Sequence, residues 1–195
     1  MNLPRLLILT DRHQTTRPLV DVVRAAVNAG ARAVVLREKD LPRAVRAHLA
    51  DQLRPILTEA GALLIMASDA TIPADGVHLA TSDQLPANRP PLVGRSCHDP
   101  TGLQAAAEEG CDWATLSPIF PSPSKPGYGP ALGTGALAGA PLPVCALGGV
   151  DAGRAAACVA AGAAGVAVMG AVMRATDPAA VVANLLRALE SKAGR

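Results

Sequence analysis

Eight short apolar runs, spread over the whole chain, constrain the fold more than any other feature of the sequence. None of them alternates with polar residues, and such continuity is typical of strands that are buried on both faces of a parallel sheet. The runs are residues 6–9, 33–36, 63–66, 77–79, 92–94, 113–116, 144–147 and 166–169. We therefore predict eight strands in one parallel sheet.

Helical stretches with recognisable ends lie between many of these runs, at residues 18–29, 42–60, 100–109, 151–161 and 178–189. Asp99 and Asp177 each precede a proline, which places a capping acid before a proline at the first helical position. Asp151 can cap a further helix in the same way. Glycines at positions 30, 61, 110 and 162 then mark helix ends that lead directly into strands.

Strands that alternate with helices in this order predict a (β/α)8 barrel. The 195 residues suffice for a single barrel domain spanning positions 1–195, but the length is well below the roughly 250 residues typical of that fold. The shortfall lies between the third and fourth strands, where residues 67–74 include Pro73 and leave no room for a full helix. We predict that the third outer helix is reduced or missing. A doubly wound open sheet is the alternative, because strands four and five are short.

The composition argues against several classes of protein. The chain has 18 Lys and Arg, 16 Asp and Glu and three aromatic residues, without a basic run, so we expect no nucleic-acid partner. Its four cysteines form no C-x-x-C pair, which favours buried free thiols in the cytoplasm over a disulfide framework or a zinc site. The uncharged stretch 155–173 is rich in Ala and Gly, and we expect two buried elements there rather than a membrane span.

The residues that follow the predicted strands are the ones to examine for chemistry, because active sites of such barrels lie at the carboxyl ends of the strands. These positions hold cations, carboxylates and hydroxyls, the groups that bind phosphates and a divalent metal. They are Arg37, Glu38, Lys39 and Asp40, then Asp69, His78 and Asp83, and finally Ser96 and His98. Structural alternatives remain open for most of them: solvated charges at 37–40, helix caps at Asp69 and Asp83, and a core histidine at His78.

Glycine turns follow the last two strands, at Gly148 and Gly149 and at Met169 and Gly170. Bare backbone amides at this place predict a phosphate site between the seventh and eighth loops. The alternative is that the glycines only permit tight turns.

The segment 117–133 is too long and too rich in proline for a simple connector. We predict that it closes over an anionic substrate and donates hydrogen bonds to a diphosphate. The aromatic residues Phe120 and Tyr128 flank its tip. The predicted donors are Ser122, Ser124 and Lys125.

Five stretches, in order along the chain, resemble the thiamine phosphate synthase and thiazole tautomerase superfamily. They are LREKD at 36–40, ADGVHL at 74–79, PIFPSPSKP at 118–126, ALGGV at 146–150 and AAGVAVM at 163–169. The resemblance covers essentially the whole chain. It implies a (β/α)8 barrel that acts in thiamine biosynthesis.

For a synthase, the resemblance implies that hydroxymethylpyrimidine diphosphate and a thiazole phosphate are joined and that diphosphate is released. Metal and cations would neutralise the departing diphosphate while the thiazole nitrogen attacks a carbocation-like methylene, without a side-chain nucleophile. The implied roles are diphosphate binding by Arg37, Lys39, Ser122, Ser124 and Lys125, Mg²⁺ binding by Asp69 and Asp83, catalysis by Ser96 and Lys125, and phosphate binding by Gly148, Gly149, Met169 and Gly170.

Four positions depart from the patterns of the superfamily. Val35 stands where the synthases commonly have a pyrimidine-reading glutamine, Ser68 where they have Asn, and Gly170 where they have Ser. Pro118 stands where the tautomerases have a proton-moving histidine, although residues 93–96 resemble that branch. A thiazole tautomerase-like isomerase and a non-catalytic, phosphate-ester-binding regulator therefore remain alternatives to the synthase. In each case we expect small phosphorylated partners, while homo-oligomerisation stays open.

Overall fold

Each of the eight apolar runs forms a strand, and the strands close into one parallel barrel. The computed structural model describes residues 3–122 and 130–190. Every strand pairs in parallel with the next, and the eighth pairs with the first. This closure confirms the predicted (β/α)8 barrel and excludes the open sheet. The strands are β1 Leu6–Leu9, β2 Ala33–Leu36, β3 Leu63–Ala67, β4 Gly76–Leu79, β5 Leu92–Cys97, β6 Trp113–Leu116, β7 Val144–Leu147 and β8 Gly165–Val168.

The helices pack around the barrel at the predicted places. Asp99 accepts a hydrogen bond from the Gly102 amide at 2.7 Å, and Asp151 accepts one from the Arg154 amide at 3.0 Å, so both predicted N-caps are confirmed. Asp177 caps its helix in the same way. The helices are α1 Leu19–Asn28, α2 Arg43–Glu59, α3 Pro100–Glu108, α4 Ala152–Ala160, the single-turn α5 Gly170–Met173 and α6 Pro178–Glu190.

Two neighbouring connections contain no helical residue, and the described part of the β6–β7 connection has only the 3-10 turn Thr134–Leu137. All residues between β3 and β4 are described and none of them is helical, which confirms the predicted loss of the third helix. The connection from β4 to β5, residues 80–91, is also without a helix, and the sequence pattern did not predict this. The side of the barrel around β4 is therefore covered by loops.

Aliphatic side chains fill the space between strands and helices, and a second, smaller cluster around Trp113 fills the inside of the barrel. Trp113 is buried in the interior, and the His78 ring stacks on it with centroids 4.9 Å apart. Gly94 on the adjacent strand makes room for the indole, since a Cβ at this position would overlap the Trp113 ring. The interior cluster also contains Leu7 and Ile65.

The four cysteines are all buried and free, as expected. Burial raises the pKa of the Cys145 thiol to about 12, which keeps it protonated and unreactive. Within residues 3–122 and 130–190, no helix has the length and apolar character needed to cross a bilayer.

Candidate active site

A cavity of about 1130 Å³ opens at the carboxyl ends of the barrel strands. The carboxyl ends of all eight strands contribute to its lining, so residues far apart in the sequence converge there. Ser124 and Lys125, also predicted for this site, lie outside the described residues. The predicted site residues that line the cavity are Arg37, Lys39, Ser96, Ser122, Gly148, Gly149, Met169 and Gly170.

In the charged run after β2, the two cations and the two acids have different environments. Arg37 and Lys39 line the cavity. Glu38 between them is only 2% exposed, accepts hydrogen bonds from the Arg12 amide at 3.2 Å, and forms an ion pair with the Arg12 guanidinium at 3.1 Å. Asp40 also pairs with Arg12, at 2.5 Å. The two acids therefore fasten the β2 loop to the β1 loop, and the two cations are left at the cavity wall.

Hydrogen bonds from Arg12, followed by one from His13, hold the pKa of Asp40 well below its usual range. The His13 ring nitrogen Nε2 lies 3.0 Å from the Asp40 carboxylate. At neutral pH the Asp40 carboxylate is therefore an anion, and its ion pair with the Arg12 guanidinium links the β1 and β2 loops.

Asp69 and Asp83 follow neighbouring strands, but neither carboxylate is part of the cavity lining. Asp69 accepts from Arg46 of α2 at 2.8 Å and from the Thr71 hydroxyl at 2.6 Å. Asp83 accepts from the Ala80 amide at 2.7 Å. No helix follows either acid, so neither is a helix cap, and their role as magnesium ligands stays a prediction.

Both acids have a pKa below the usual value of an aspartate. Burial opposes ionisation of Asp69, but the Thr71 hydroxyl and amide and the nearby Arg46 outweigh it. For Asp83, burial is likewise outweighed by hydrogen bonds, by Lys39 and by Arg95. Each group is therefore an anion at neutral pH and a hard oxygen donor.

His78 is buried yet belongs to the cavity lining. Its Nε2 atom lies 3.1 Å from the Thr115 hydroxyl, and its ring is stacked on Trp113. Burial, together with the nearby cations Lys39 and Arg37, lowers the pKa of His78 to about 3. The His78 imidazole on the cavity floor is therefore neutral. It packs as a core histidine does, although it also lines the cavity.

The glycines after β7 are required by close packing of the loop that follows β6. The Ile119 and Phe120 amides donate to the carbonyls of Leu147 and Gly148 at 2.9 and 3.0 Å, which holds that loop against the turn. A Cβ at Gly148 would lie 2.8 Å from the Pro118 Cα atom, and one at Gly149 would overlap the Pro121 carbonyl. Both glycines also have positive φ, of 90° and 62°. The two glycines therefore allow the β7 turn to pack closely against the loop that follows β6, and the turn also lines the cavity.

Two arginines that the sequence analysis missed also line the cavity. Arg154, in the first turn of α4, donates to the Gly149 carbonyl at 2.7 Å, and its guanidinium lies 4.9 Å from the centre of the Phe120 ring. Arg174 follows α5 and donates to the Gln14 side chain. Neither arginine stands at a strand tip, where the sequence predicts the site residues. The available signal was their position in or just after the helices that follow β7 and β8.

His98 lines the cavity too, with Nδ1 2.9 Å from the Ser117 carbonyl oxygen. A ring nitrogen from the β5 tip thus contacts the β6 tip, directly before Pro118.

The charge of the cavity lining is strongly positive. Among the described lining residues, four are Arg or Lys and only Asp151 is acidic. Asp151 caps α4 and lies 4.0 Å from the Arg154 guanidinium, so part of its charge is compensated locally. Such a cavity favours anionic ligands. The four cations are Arg37, Lys39, Arg154 and Arg174.

Comparisons with known proteins place most of the chain in one family. A family model described as thiamine monophosphate synthase matches residues 6–172. A protein of Geobacter sulfurreducens named putative thiamine-phosphate synthase is 39% identical, covering 89% of this chain and 88% of the relative. The thiamine-phosphate synthase of Methanoculleus marisnigri is 40% identical, covering 87% of each chain. That of Roseiflexus castenholzii is 36% identical, covering 91% and 85%.

Solved structures give the same result. Thiamine phosphate pyrophosphorylase from Pyrococcus furiosus superposes with a TM-score of 0.84 at 27% identity, over 95% of both chains. A structure titled 3-hexulose-6-phosphate synthase has a TM-score of 0.68 at 17% identity and covers 95% of this chain, which shows a shared fold alone. With the family match spanning most of the barrel, the chain belongs to the thiamine monophosphate synthase family.

Proposed function

We propose that this protein is a thiamine-phosphate synthase, a transferase that joins hydroxymethylpyrimidine diphosphate to a thiazole phosphate and releases diphosphate. The observation that carries the proposal is the cavity at the barrel mouth, which has four cations and one carboxylate among its described lining residues. Two phosphorylated substrates require such a site, and relatives at 36–40% identity bear this name.

The diphosphate would bind on the β2 side of the cavity, where Arg37 and Lys39 lie. Charge-assisted hydrogen bonds from these cations would stabilise negative charge on the leaving group as its C–O bond breaks. Ser122, in the connection after β6, adds a hydroxyl to the cavity lining. The thiazole nitrogen then supplies the electron pair for the new C–N bond, and Ser96 of β5 lines the same cavity.

The pyrimidine ring would lie on the floor of the cavity. This floor is largely apolar, with Leu9, Ala67 and Ala167 beside the neutral His78. Val35 is fully buried in the barrel interior and offers no polar atom there. An uncharged ring fits such a surface better than a charged one, because this floor has no counter-charge to compensate the desolvation of a charged ring.

Magnesium is part of the proposal because the donor chemistry of Asp69 and Asp83 suits it. Both groups stay ionised, and they follow adjacent strands. The ion usually combines one or two carboxylates with phosphate oxygens of the substrate, and it would supply further positive charge for the diphosphate. Of the two acids, Asp69 would have to exchange its ion pair with Arg46 for such binding.

The test is product formation by the purified protein with the pyrimidine diphosphate, the thiazole phosphate and Mg²⁺. Thiamine phosphate is expected, and Arg37→Met is expected to lower kcat/KM by about 10- to 100-fold, since a hydrogen bond to a charged group contributes about 1.5–3 kcal/mol. Arg187→Met, on the exposed side of α6, is the matched control. Absence of product, under conditions in which a known synthase forms it, would contradict the proposal.

The tautomerase alternative is favoured by one specific observation. No Asn or Gln side chain is present among the described residues that line the cavity, so an amide that reads the pyrimidine is lacking there. This alternative predicts metal-independent conversion of the carboxylated thiazole phosphate. NMR spectroscopy of that compound with the same protein distinguishes the two activities.

A further inference from the structure

We infer that Arg174 is a phosphate-binding side chain of this cavity, and that residue 170 is glycine so that the Arg174 guanidinium can lie against the β8 turn. The inference deepens the proposed function and rests on it, since it assigns a specificity residue to the thiazole phosphate. No strand-tip motif in the sequence points to Arg174.

The first observation is steric. A Cβ atom placed on Gly170 would overlap the Arg174 guanidinium, and its three nearest heavy atoms all belong to that group. Gly170 is not among the glycines with positive φ, so its backbone conformation is open to any residue. A side chain at residue 170 would therefore require the Arg174 guanidinium to leave this place, and in this sense the two positions are coupled.

The second observation is how the guanidinium is held. Arg174 caps the C-terminus of α5, and its amide donates to the Gly170 carbonyl at 3.1 Å. Its side chain donates to the Gln14 amide oxygen, and Gln14 in turn donates to Asp11 at 2.7 Å. Groups from the β1 and β8 loops thus orient the guanidinium before a ligand arrives, which lowers the entropy lost on binding.

The third observation is the chemistry of the surrounding wall. Arg174 lines the cavity together with Gly170, and Arg37 reaches the same turn, with Nη1 3.9 Å from the Met169 sulfur. A guanidinium presents a planar fork of donors that matches phosphate oxygens, and it stays charged at all working pH values. A phosphate bound beside the β7 and β8 turns would therefore meet the Arg174 charge.

A double-mutant cycle tests the inference. Arg174→Gln is expected to raise the Kd and the KM for thiazole phosphate by about tenfold or more, with the KM for the pyrimidine diphosphate changed less. Gly170→Ala is expected to do the same, because its methyl group displaces the guanidinium. The double variant should bind no more weakly than Arg174→Gln alone, since the added methyl group then has no guanidinium to displace.

Calorimetry with thiazole phosphate, and separately with inorganic phosphate, gives the dissociation constants. Arg187→Gln is the matched control, and thermal unfolding of each variant separates loss of binding from loss of folding. Unchanged affinity in Arg174→Gln, or additive effects of the two substitutions, would overturn the inference. If the wild-type protein forms no thiamine phosphate but phosphate affinity still falls in Arg174→Gln, the proposed function fails and the assignment of Arg174 stands.

Discussion

The His78 imidazole shows how burial sets the chemical state of a single residue. Its ring lies between the barrel interior and the cavity, stacked on Trp113. The folded protein keeps it neutral because burial and the nearby cations lower its pKa to about 3, from an ordinary value of 6.5. An unfolded chain would protonate it near the ordinary value.

A pH dependence of stability follows from this difference. Between about pH 6.5 and 3 the unfolded chain binds a proton that the folded chain does not, so the free energy of unfolding falls as the pH falls, by up to about 1.4 kcal/mol per unit. The contributions of Asp40, Asp69 and Asp83, whose pKa values are lowered by folding, are lost only below about pH 4. Urea unfolding between pH 6.5 and 4.5 therefore isolates His78.

His78→Gln is expected to flatten this slope. The exposed His48→Gln on α2 is the control and should retain it. An equal slope in wild-type protein and His78→Gln would show that another group is responsible.

The connection after β4 has no helix, and a side chain of β5 holds it in place instead. Arg95 on β5 donates to the carbonyls of Ala80 and Asp83, both at 2.9 Å, and forms an ion pair with Glu109 at 2.6 Å. Its side chain is 5% exposed, whereas that of Glu109 is 44% exposed. A buried cation that binds backbone carbonyls thus takes over the positioning that an outer helix provides elsewhere in the barrel.

Removal of this cation is expected to free the connection. Arg95→Met should lower the free energy of unfolding by about 3 kcal/mol, because several buried hydrogen bonds and an ion pair are lost together. Hydrogen exchange of the Ala80 and Asp83 amides, which bond within the same turn, should accelerate.

Arg89 offers a matched control, since it also bonds a carbonyl and an aspartate, Gly110 and Asp112, but on the exposed surface. Arg89→Met should cost less than about 1 kcal/mol. Equal losses in the two variants would contradict the special role of Arg95.

For the molecule as a whole, charge is distributed unevenly. The net charge is only +2, yet the described cavity lining has four cations and one acid. Folding brings these four cations together in the cavity lining, while acids of the same loops, such as Glu38 and Asp40, pair with Arg12 outside it. The field at the cavity should attract phosphorylated ligands from solution.

Salt should therefore weaken ligand binding without a comparable effect on folding. The Kd of inorganic diphosphate, measured by calorimetry, is expected to rise severalfold as the Debye length shortens from about 10 Å at 0.1 M salt to about 3 Å at 1 M. The thermal midpoint of the ligand-free protein serves as the reference for general salt effects. A Kd independent of salt would show that these cations contribute little to binding.

The strands and helices could be predicted from the sequence because their signals are local. Apolar runs, N-cap acids and C-terminal glycines each act within a few residues, and the observed bounds differ from the predicted ones by three residues or fewer. The cavity position followed from the barrel, which places all strand tips at one end. Arg37 and Lys39 line the cavity as a result.

Only the tertiary structure decided which side chains from distant positions in the sequence pair with each other. Glu38 binds Arg12 and Asp69 binds Arg46, so acids that look alike in the sequence as candidate ligands differ in their surroundings. The same holds for Gly170, where the space that a Cβ would occupy is taken by the Arg174 guanidinium. The order of strands and helices was thus determined by the sequence itself, through short-range patterns. The state and partners of each charged side chain depend on which loops meet once the barrel closes, because electrostatic and steric contacts act through space.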